Sequence, residues 1–306
     1  GGYNCHGITL KQCDAYYMSD GSDVPGKDDC LGRGDGSSRV TGFVTEENKD
    51  QYKPLPVGVS LQYANREPRF YASVAYNGSV WEMTTSYDED KRFYRAWYYH
   101  GLENGKLAQS PDLYLRTGIG VKKFYNPQDS YQNGGRIIHK TEPAIRYAEV
   151  LLIYAEALNE LSSSYEISSW DGSKTYTIKR DEAEMAKGIE PIRIRAGVPN
   201  YKAEVYNNKD LFRKALKRER QIELFAEGHR YYDLRRWKDA PEEEATMMYG
   251  CNTNIGENNR DLFYIPTVIP SMPSVFTKKM YFRPISHDEL KKNSRLTQNP
   301  GWTYYD

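Results

Sequence analysis

The chain has 306 residues with 42 basic and 42 acidic side chains, so no overall field draws it to nucleic acid or to an anionic membrane surface. Hydrophobic content is 39%, enough for a folded core, and no apolar run approaches the ~20 residues that span a bilayer. Tyrosine is in excess, 27 against 9 Phe and 5 Trp. A core built only for volume would use Phe, so the phenols point either to half-buried element edges or to flat, wettable platforms for sugars or peptides.

Residues 1–60 are rich in Gly, Asp, Ser and Pro and read as irregular loop. Asp20, Asp23, Asp28 and Asp29 lack the spacing and closing acid of a calcium loop and read as turn residues. Cys5, Cys13 and Cys30 crowd the start, and Cys251 stands far away; no pair has CxxC spacing, so a metal site is unsupported. A disulfide among these cysteines and free thiols both remain open. Phe70 to Asn77 alternates as a strand, the Asn77-Gly78 turn predicts a hairpin, and Val80-Trp81 begins the return strand. FYRAWYYHG (93–101) crowds Phe93, Tyr94, Trp97, Tyr98 and Tyr99 together, either as a segment tucked under loops or as a stacking surface. Residues 102–140 read as loop with one strand, Gly120–Tyr125.

After Pro143, Ala148, Leu151, Leu152, Ala155, Leu158 and Leu161 fall on one helix face. The polar insertion 162–180, with Trp170 before Asp171-Gly172, predicts a loop or small hairpin. Asp181 caps a short helix through Met185 and Ala186, Pro191 interrupts or kinks it, and Gly197 and Pro199 end the helical turn that follows. From Asp210 to Ala240, Phe212, Ala215, Leu216, Ile222, Phe225 and Ala226 share a helix face. On the same stretch Glu219, Glu223 and Glu227 repel at i,i+4 spacing, which calls for arginines from neighbouring turns or other elements; Arg220, Arg230, Arg235 and Arg236 are available. Tyr249–Phe276 reads as loop, and Trp302 as a tail residue that packs back and seals a core edge.

RERQIELFAEGHRYYDLRRWKDA (218–240) resembles the C-terminal hallmark of the SusD/RagB family of surface nutrient-binding lipoproteins. DAYYMSDG (14–21), EPRFYASVAYNGSVW (67–81), IRYAEVLLIYAEALNE (145–160), IRIRAGVP (192–199) and RPISHDELKKNSRLTQNPGW (283–302) resemble the same family in the same order. Two departures stand out: Thr9-Leu10-Lys11-Gln12 occupies the place of the family's Pro-Thr-Gln, and Pro191 falls where members read through as one helix. The resemblance implies a mainly α fold, a tetratricopeptide-like helical scaffold with a large irregular, loop-rich portion and a few short strands. Residues 1–306 are then one C-terminal region: 1–140 loop-rich with short strands, 141–240 scaffold helices and 241–306 an irregular tail that packs back. Family members are longer and begin with a lipid-modified cysteine, so the chain looks like the C-terminal half of such a protein, with its anchor expected on the N-terminal part.

No catalytic template is matched: there is no HExxH, no phosphate-binding GxxxxGK[ST], no dinucleotide fingerprint and no Gly-x-Ser-x-Gly elbow. The expectation is a protein without enzyme activity or cofactor. The resemblance implies capture of an oligosaccharide or polysaccharide on the extracellular face of the outer membrane and delivery to a SusC-like TonB-dependent transporter. Clustering of aromatics nominates Trp81, Trp97, Tyr98, Tyr99, Tyr16 and Tyr17 as ligand contacts, with ring faces on sugar C–H groups and polar side chains on hydroxyls. Two alternatives stay open, a peptide ligand on the same architecture and a helical-repeat adaptor whose ligand is another protein.

Overall fold

The computed structural model describes residues 6–27, 39–107, 112–130, 135–269 and 275–303. In chain order the first half carries α1 (Leu10–Ala15), α2 (Pro68–Ser73), β1 (Val74–Ala75), β2 (Ser79–Glu82), β3 (Phe93–Ala96) and β4 (Gly120–Val121). The helical part follows, with α3 (Tyr147–Glu160), the hairpin strands β5 (Tyr165–Ser168) and β6 (Thr175–Ile178), α4 (Glu182–Arg195), α5 (Ala203–Asn207), α6 (Lys209–Glu223) and α7 (His229–Arg236). The chain then runs through α8 (Ala240–Glu243), β7 (Tyr249–Gly250), α9 (Arg260–Phe263), β8 (Thr267–Val268) and α10 (His287–Lys292). The described strands form four antiparallel pairs, β1 with β4, β2 with β3, β5 with β6 and β7 with β8. The fold is helix-dominated, as the sequence implies, and no described helix is long and apolar enough to cross a membrane.

Several local expectations give way. The alternation from Phe70 is helical as far as Ser73, because Pro68 at the first turn of α2 pre-sets the helical φ. The Gly78 turn is present, with φ +85°, and joins β1 to β2, but these strands do not pair with each other: β2 pairs with β3 and β1 with β4. The strand expected over 120–125 is Gly120–Val121 alone. Leu10–Ala15, read as loop, is a helix capped by the Thr9 side chain. α4 begins on its Asp181 cap, which accepts from Glu184 N at 3.1 Å, and runs through Pro191 without interruption. Pro191 lies on the exposed side, where water can satisfy the carbonyl it leaves without a donor. The Asp210–Ala240 stretch is two helices: α6 stops at Glu223, and Ala226 (φ +60°) and Gly228 (φ +84°) turn the chain before α7.

Among the described residues two apolar clusters make the core. One gathers Tyr63, Phe70, Tyr76, Tyr98, Tyr99 and Phe263 under the irregular half. The other packs Leu152, Met185, Ile189, Phe212 and Leu216 between α3, α4 and α6. α4 approaches α3 so closely that a Cβ on Gly188 would lie 2.4 Å from Leu151 O and 2.8 Å from the Ala155 Cβ.

Along α6 and the turn that follows it runs a row of acids. Glu219 pairs with Arg69 at 2.7 Å and Arg193 at 2.8 Å, and Glu223 with Arg195 at 2.6 Å, Arg146 at 2.9 Å and Arg69 at 3.2 Å. Glu227 takes Arg146 at 2.7 Å and Lys123. The cations therefore come from α2, α4, the approach to α3 and the segment after β4. The arginines nearer in sequence are engaged elsewhere: Arg220 with Asp233, Arg230 with Glu243, Arg235 with Glu244 and Arg236 with Glu156. Arg69 also holds Glu67 at 2.8 Å, and Glu67 accepts the Tyr17 N–H at 2.9 Å, so the row ties the loop-rich half to the helical layer.

The tail docks on α7 through Arg235 to Met280 O at 3.3 Å and Arg283 to the Tyr231 hydroxyl at 3.3 Å. Trp302, expected to seal the core, donates to Lys279 O at 3.1 Å and Phe282 O at 2.9 Å, and so closes the tail on itself. Cys13 and Cys251 are buried free thiols, while Cys5, Cys30, Asp28 and Asp29 lie outside the described residues. Among the described residues no group of three or more His, Cys, Asp or Glu is placed to hold a metal ion.

Candidate functional site

The β2–β3 register separates the two candidate tryptophans. Trp81 lies opposite Tyr94, and Val80 lies opposite Arg95. Side chains alternate along a strand, so Trp81 and Tyr94 share one face of the hairpin, while Phe93, Arg95 and Trp97 belong to the other. Trp97 sits against Gly78, where a Cβ would come within 2.7 Å of the indole ring, so a residue without a side chain is needed there. The Tyr99 ring stacks on Trp97 at 5.7 Å, and the Arg95 guanidinium lies over it at 4.8 Å.

The four nominated tyrosines are core residues: relative exposure is 0% for Tyr16, 5% for Tyr17, 3% for Tyr98 and 1% for Tyr99. Tyr16 meets the edges of Phe70 and Phe225, and Tyr17 lies beneath the guanidiniums of Arg218 at 3.8 Å and Arg193 at 4.7 Å. Tyr99 meets Phe263 edge-on at 4.9 Å, and its hydroxyl bonds that of Tyr264 at 3.1 Å. Asn77 fixes this layer, accepting from Tyr98 N at 2.7 Å and donating to the Tyr264 hydroxyl at 2.9 Å. A ring enclosed in this way offers no face to a ligand. Its burial is worth more to the fold, roughly 25 cal/mol per Å² of apolar surface.

Trp81, Tyr94 and Trp97 are all partly buried against the core; Trp97 is stacked by Tyr99 and overlain by Arg95, and the Trp81–Tyr94 face is the candidate surface. Trp81 is half-buried and met edge-on by Tyr125 at 5.0 Å and 82°. The Lys122 ammonium lies 5.9 Å from the Trp81 ring and 5.7 Å from that of Tyr125, and donates to Val80 O at 2.7 Å. Burial holds the Lys122 ammonium below its ordinary value and pushes the Tyr125 phenol up to about 12, so Tyr125 stays protonated at neutral pH. The Tyr94 hydroxyl donates to the exposed Glu103 carboxylate at 3.0 Å and accepts from Asn104. Aromatic surface thus lies beside a carboxylate, an amide and an ammonium, which suits a ligand with C–H faces and hydroxyl edges. Tyr94, Lys122, Tyr125, Glu103 and Asn104 were not nominated from the sequence. The period-2 pattern across 93–96 separates Tyr94 from Phe93, but the arrival of 103–104 and 122–125 depends on long-range packing.

A separate cleft of about 330 Å³ opens between α3, α6 and α7, lined by Glu156, Glu160, Arg213, Lys217, Arg236 and Trp237 among others. Its charges are mutually paired, Glu156 with Arg236, Glu160 with Arg213 and Lys217 with Asp239, so it holds no uncompensated group.

The comparisons with known proteins agree with this architecture. Over 184 residues the chain is 29% identical to SusD-like protein P2 of Formosa agariphila, covering 60% of this chain and 30% of that protein. Its fold is similar to that of a Bacteroides fragilis SusD-like protein, BF3747, with a TM-score of 0.65 at 23% identity over 98% of this chain and 48% of the other. The protein BT4246 aligns with a TM-score of 0.76 at 23% identity, covering 99% of this chain and 47% of its own. A carbohydrate-binding SusD-like protein of B. fragilis, BF0978, aligns with a TM-score of 0.56 at 20% identity over 94% of this chain and 48% of its own. The chain therefore spans about half the length of these solved relatives. The SusD family matches residues 1–302, and the chain belongs to that family.

Proposed function

We propose that this chain belongs to a non-catalytic cell-surface receptor that captures oligosaccharide or polysaccharide nutrients at the outer membrane and passes them to a SusC-like TonB-dependent transporter. The observation that carries the reading is the Trp81–Tyr94 face, an aromatic surface bordered by Glu103, Asn104 and Lys122 on a β-hairpin. Membership of the SusD family supports it, as does a similar fold in a carbohydrate-binding SusD-like protein. Capture is non-covalent in this account: a sugar ring lies on Trp81 while its hydroxyls meet Glu103 and Asn104. Non-covalent capture of this kind releases its ligand readily, which delivery requires.

The test is a tryptophan-fluorescence titration of the chain against soluble polysaccharides and mixed oligopeptides, with Trp81→Ala and Trp97→Ala alongside. The reading predicts a saturable response to a glycan, weakened by Trp81→Ala by ~2 kcal/mol or about thirtyfold in affinity, and little changed by Trp97→Ala. A response to peptides alone would replace glycan by peptide. A Trp81→Ala protein that binds glycan like the parent would remove the site.

A further inference from the structure

α3 carries two apolar faces, and the core uses one of them. Ala148, Leu152, Ala155 and Leu158 are buried in the cluster shared with α4 and α6. On the far side Tyr147, Val150, Ile153 and Tyr154 are 76%, 47%, 50% and 41% exposed, and Ala157 is exposed with them. At about 100° per residue these five fall in one stripe roughly 120° wide and about 15 Å long, with no charged side chain inside it. The acids of α3 lie to one side of the stripe, where Glu149 faces His229, Glu156 pairs with Arg236 and Glu160 with Arg213. α4, also 14 residues long, shows the contrast: its exposed residues include Glu182, Lys187, Glu190 and Arg195, the pattern of a helix side that meets water.

A helix that is apolar on both sides is an inner helix, covered by a membrane or by protein. With 14 residues and three glutamates, α3 is too short and too charged to span a bilayer. A glycan fits the stripe poorly. Val150, Ile153 and Ala157 give its hydroxyls no partner, and the Tyr154 hydroxyl already donates to Glu184 at 2.7 Å. The remaining cover is protein, and the solved relatives carry one. BF3747 and BT4246 match 98% and 99% of this chain with only 48% and 47% of their own. In each of them the same fold is joined to about as many residues again in one polypeptide. We infer that the outer stripe of α3 packs against an amphipathic helix from the N-terminal half of the longer protein, the half that the sequence resemblance sets before this region. The occupant is a helix of about ten residues or more, with its own apolar side chains at three-and-four spacing, and it adds one helix to the layer of α3, α4 and α6.

The experiment compares this chain with the polypeptide read from the same gene together with its upstream residues. Ile153→Lys keeps a good helix former and sets an ammonium four residues after Glu149, so in this chain its thermal melt should match the parent within about 1 °C. In the longer polypeptide the ammonium is buried, and the melting temperature should fall by about 5 °C or more. Ile153→Cys provides a second readout should the lysine variant of the longer polypeptide not fold. A maleimide should label position 153 freely in this chain and about tenfold or more slowly in the longer polypeptide, as read by peptide mass spectrometry. Equal labelling in both, with parent-like melts of Ile153→Lys in both, overturns the inference, and so does a gene that encodes no upstream residues. A dimer of this chain in light scattering that Ile153→Lys dissociates, with position 153 labelled equally in both polypeptides, makes a second copy the occupant and also overturns it.

Discussion

Glu219→Ala tests the claim that a charged row joins the two halves of the core. Glu219 is 0% exposed and divides its oxygens between Arg69 at 2.7 Å and Arg193 at 2.8 Å. After truncation Arg69 keeps Glu67 at 2.8 Å and Glu223 at 3.2 Å. Arg193, 2% exposed, keeps its bond to Pro199 O at 2.7 Å but loses its carboxylate. Removing one member of a buried pair costs about 3–5 kcal/mol, because the remaining charge stays desolvated and uncompensated. At roughly 2–4 °C per kcal/mol for a large domain, the melting temperature should fall by about 6–20 °C. The assay is urea unfolding with thermal melts followed by circular dichroism. Glu219→Gln, which keeps an acceptor and the volume, should lose less. Arg193→Met combined with Glu219→Leu should recover most of the loss, since replacing both charges removes the stranded one. A loss below about 1 kcal/mol in Glu219→Ala would refute the argument.

Acid should weaken the same row. Burial pushes the Glu223 carboxyl up, but hydrogen bonds from Arg195 and Arg146 and the nearby Arg69 outweigh it and hold the group below its ordinary 4.5; Glu227 is likewise lowered, against its burial, by Arg146 and Lys123. A depressed carboxyl contributes stability above its unfolded value and loses it as pH falls, so stability should decline below about pH 4.5, and Glu223→Gln should flatten that decline. Glu67, raised by burial, works in the opposite sense and moderates the slope. Gly188→Ala should cost about 1–3 kcal/mol by forcing α4 away from α3, measured by the same unfolding curves. Burial pushes both the Cys13 and Cys251 thiols up to about 12, so iodoacetamide at pH 8 should leave them unlabelled in the folded protein and label them in urea, as read by peptide mass spectrometry.

The helical layer was legible because its pattern is local. The faces of α3 and α6 follow from apolar spacing, the Asp181 cap from a side chain that competes for a terminal N–H, and the β5–β6 hairpin from the Asp171-Gly172 turn. The candidate site was legible only at Trp81 and in the crowding around Tyr94. Tyr16, Tyr17, Tyr98 and Tyr99 have the same composition as a sugar platform, and only tertiary packing assigns them to the core. The partners of the α6 acids lay just as far beyond local reasoning. Arg69 is 150 residues from Glu219, and nothing in either segment marks the other.

The most direct test of the central claim is isothermal titration of the chain with the polysaccharide panel and with mixed oligopeptides, repeated with Trp81→Ala. The account predicts saturable binding of at least one glycan, no binding of peptides, and about thirtyfold weaker glycan binding in the variant. Peptide binding without glycan binding, or glycan binding indifferent to Trp81, would contradict it.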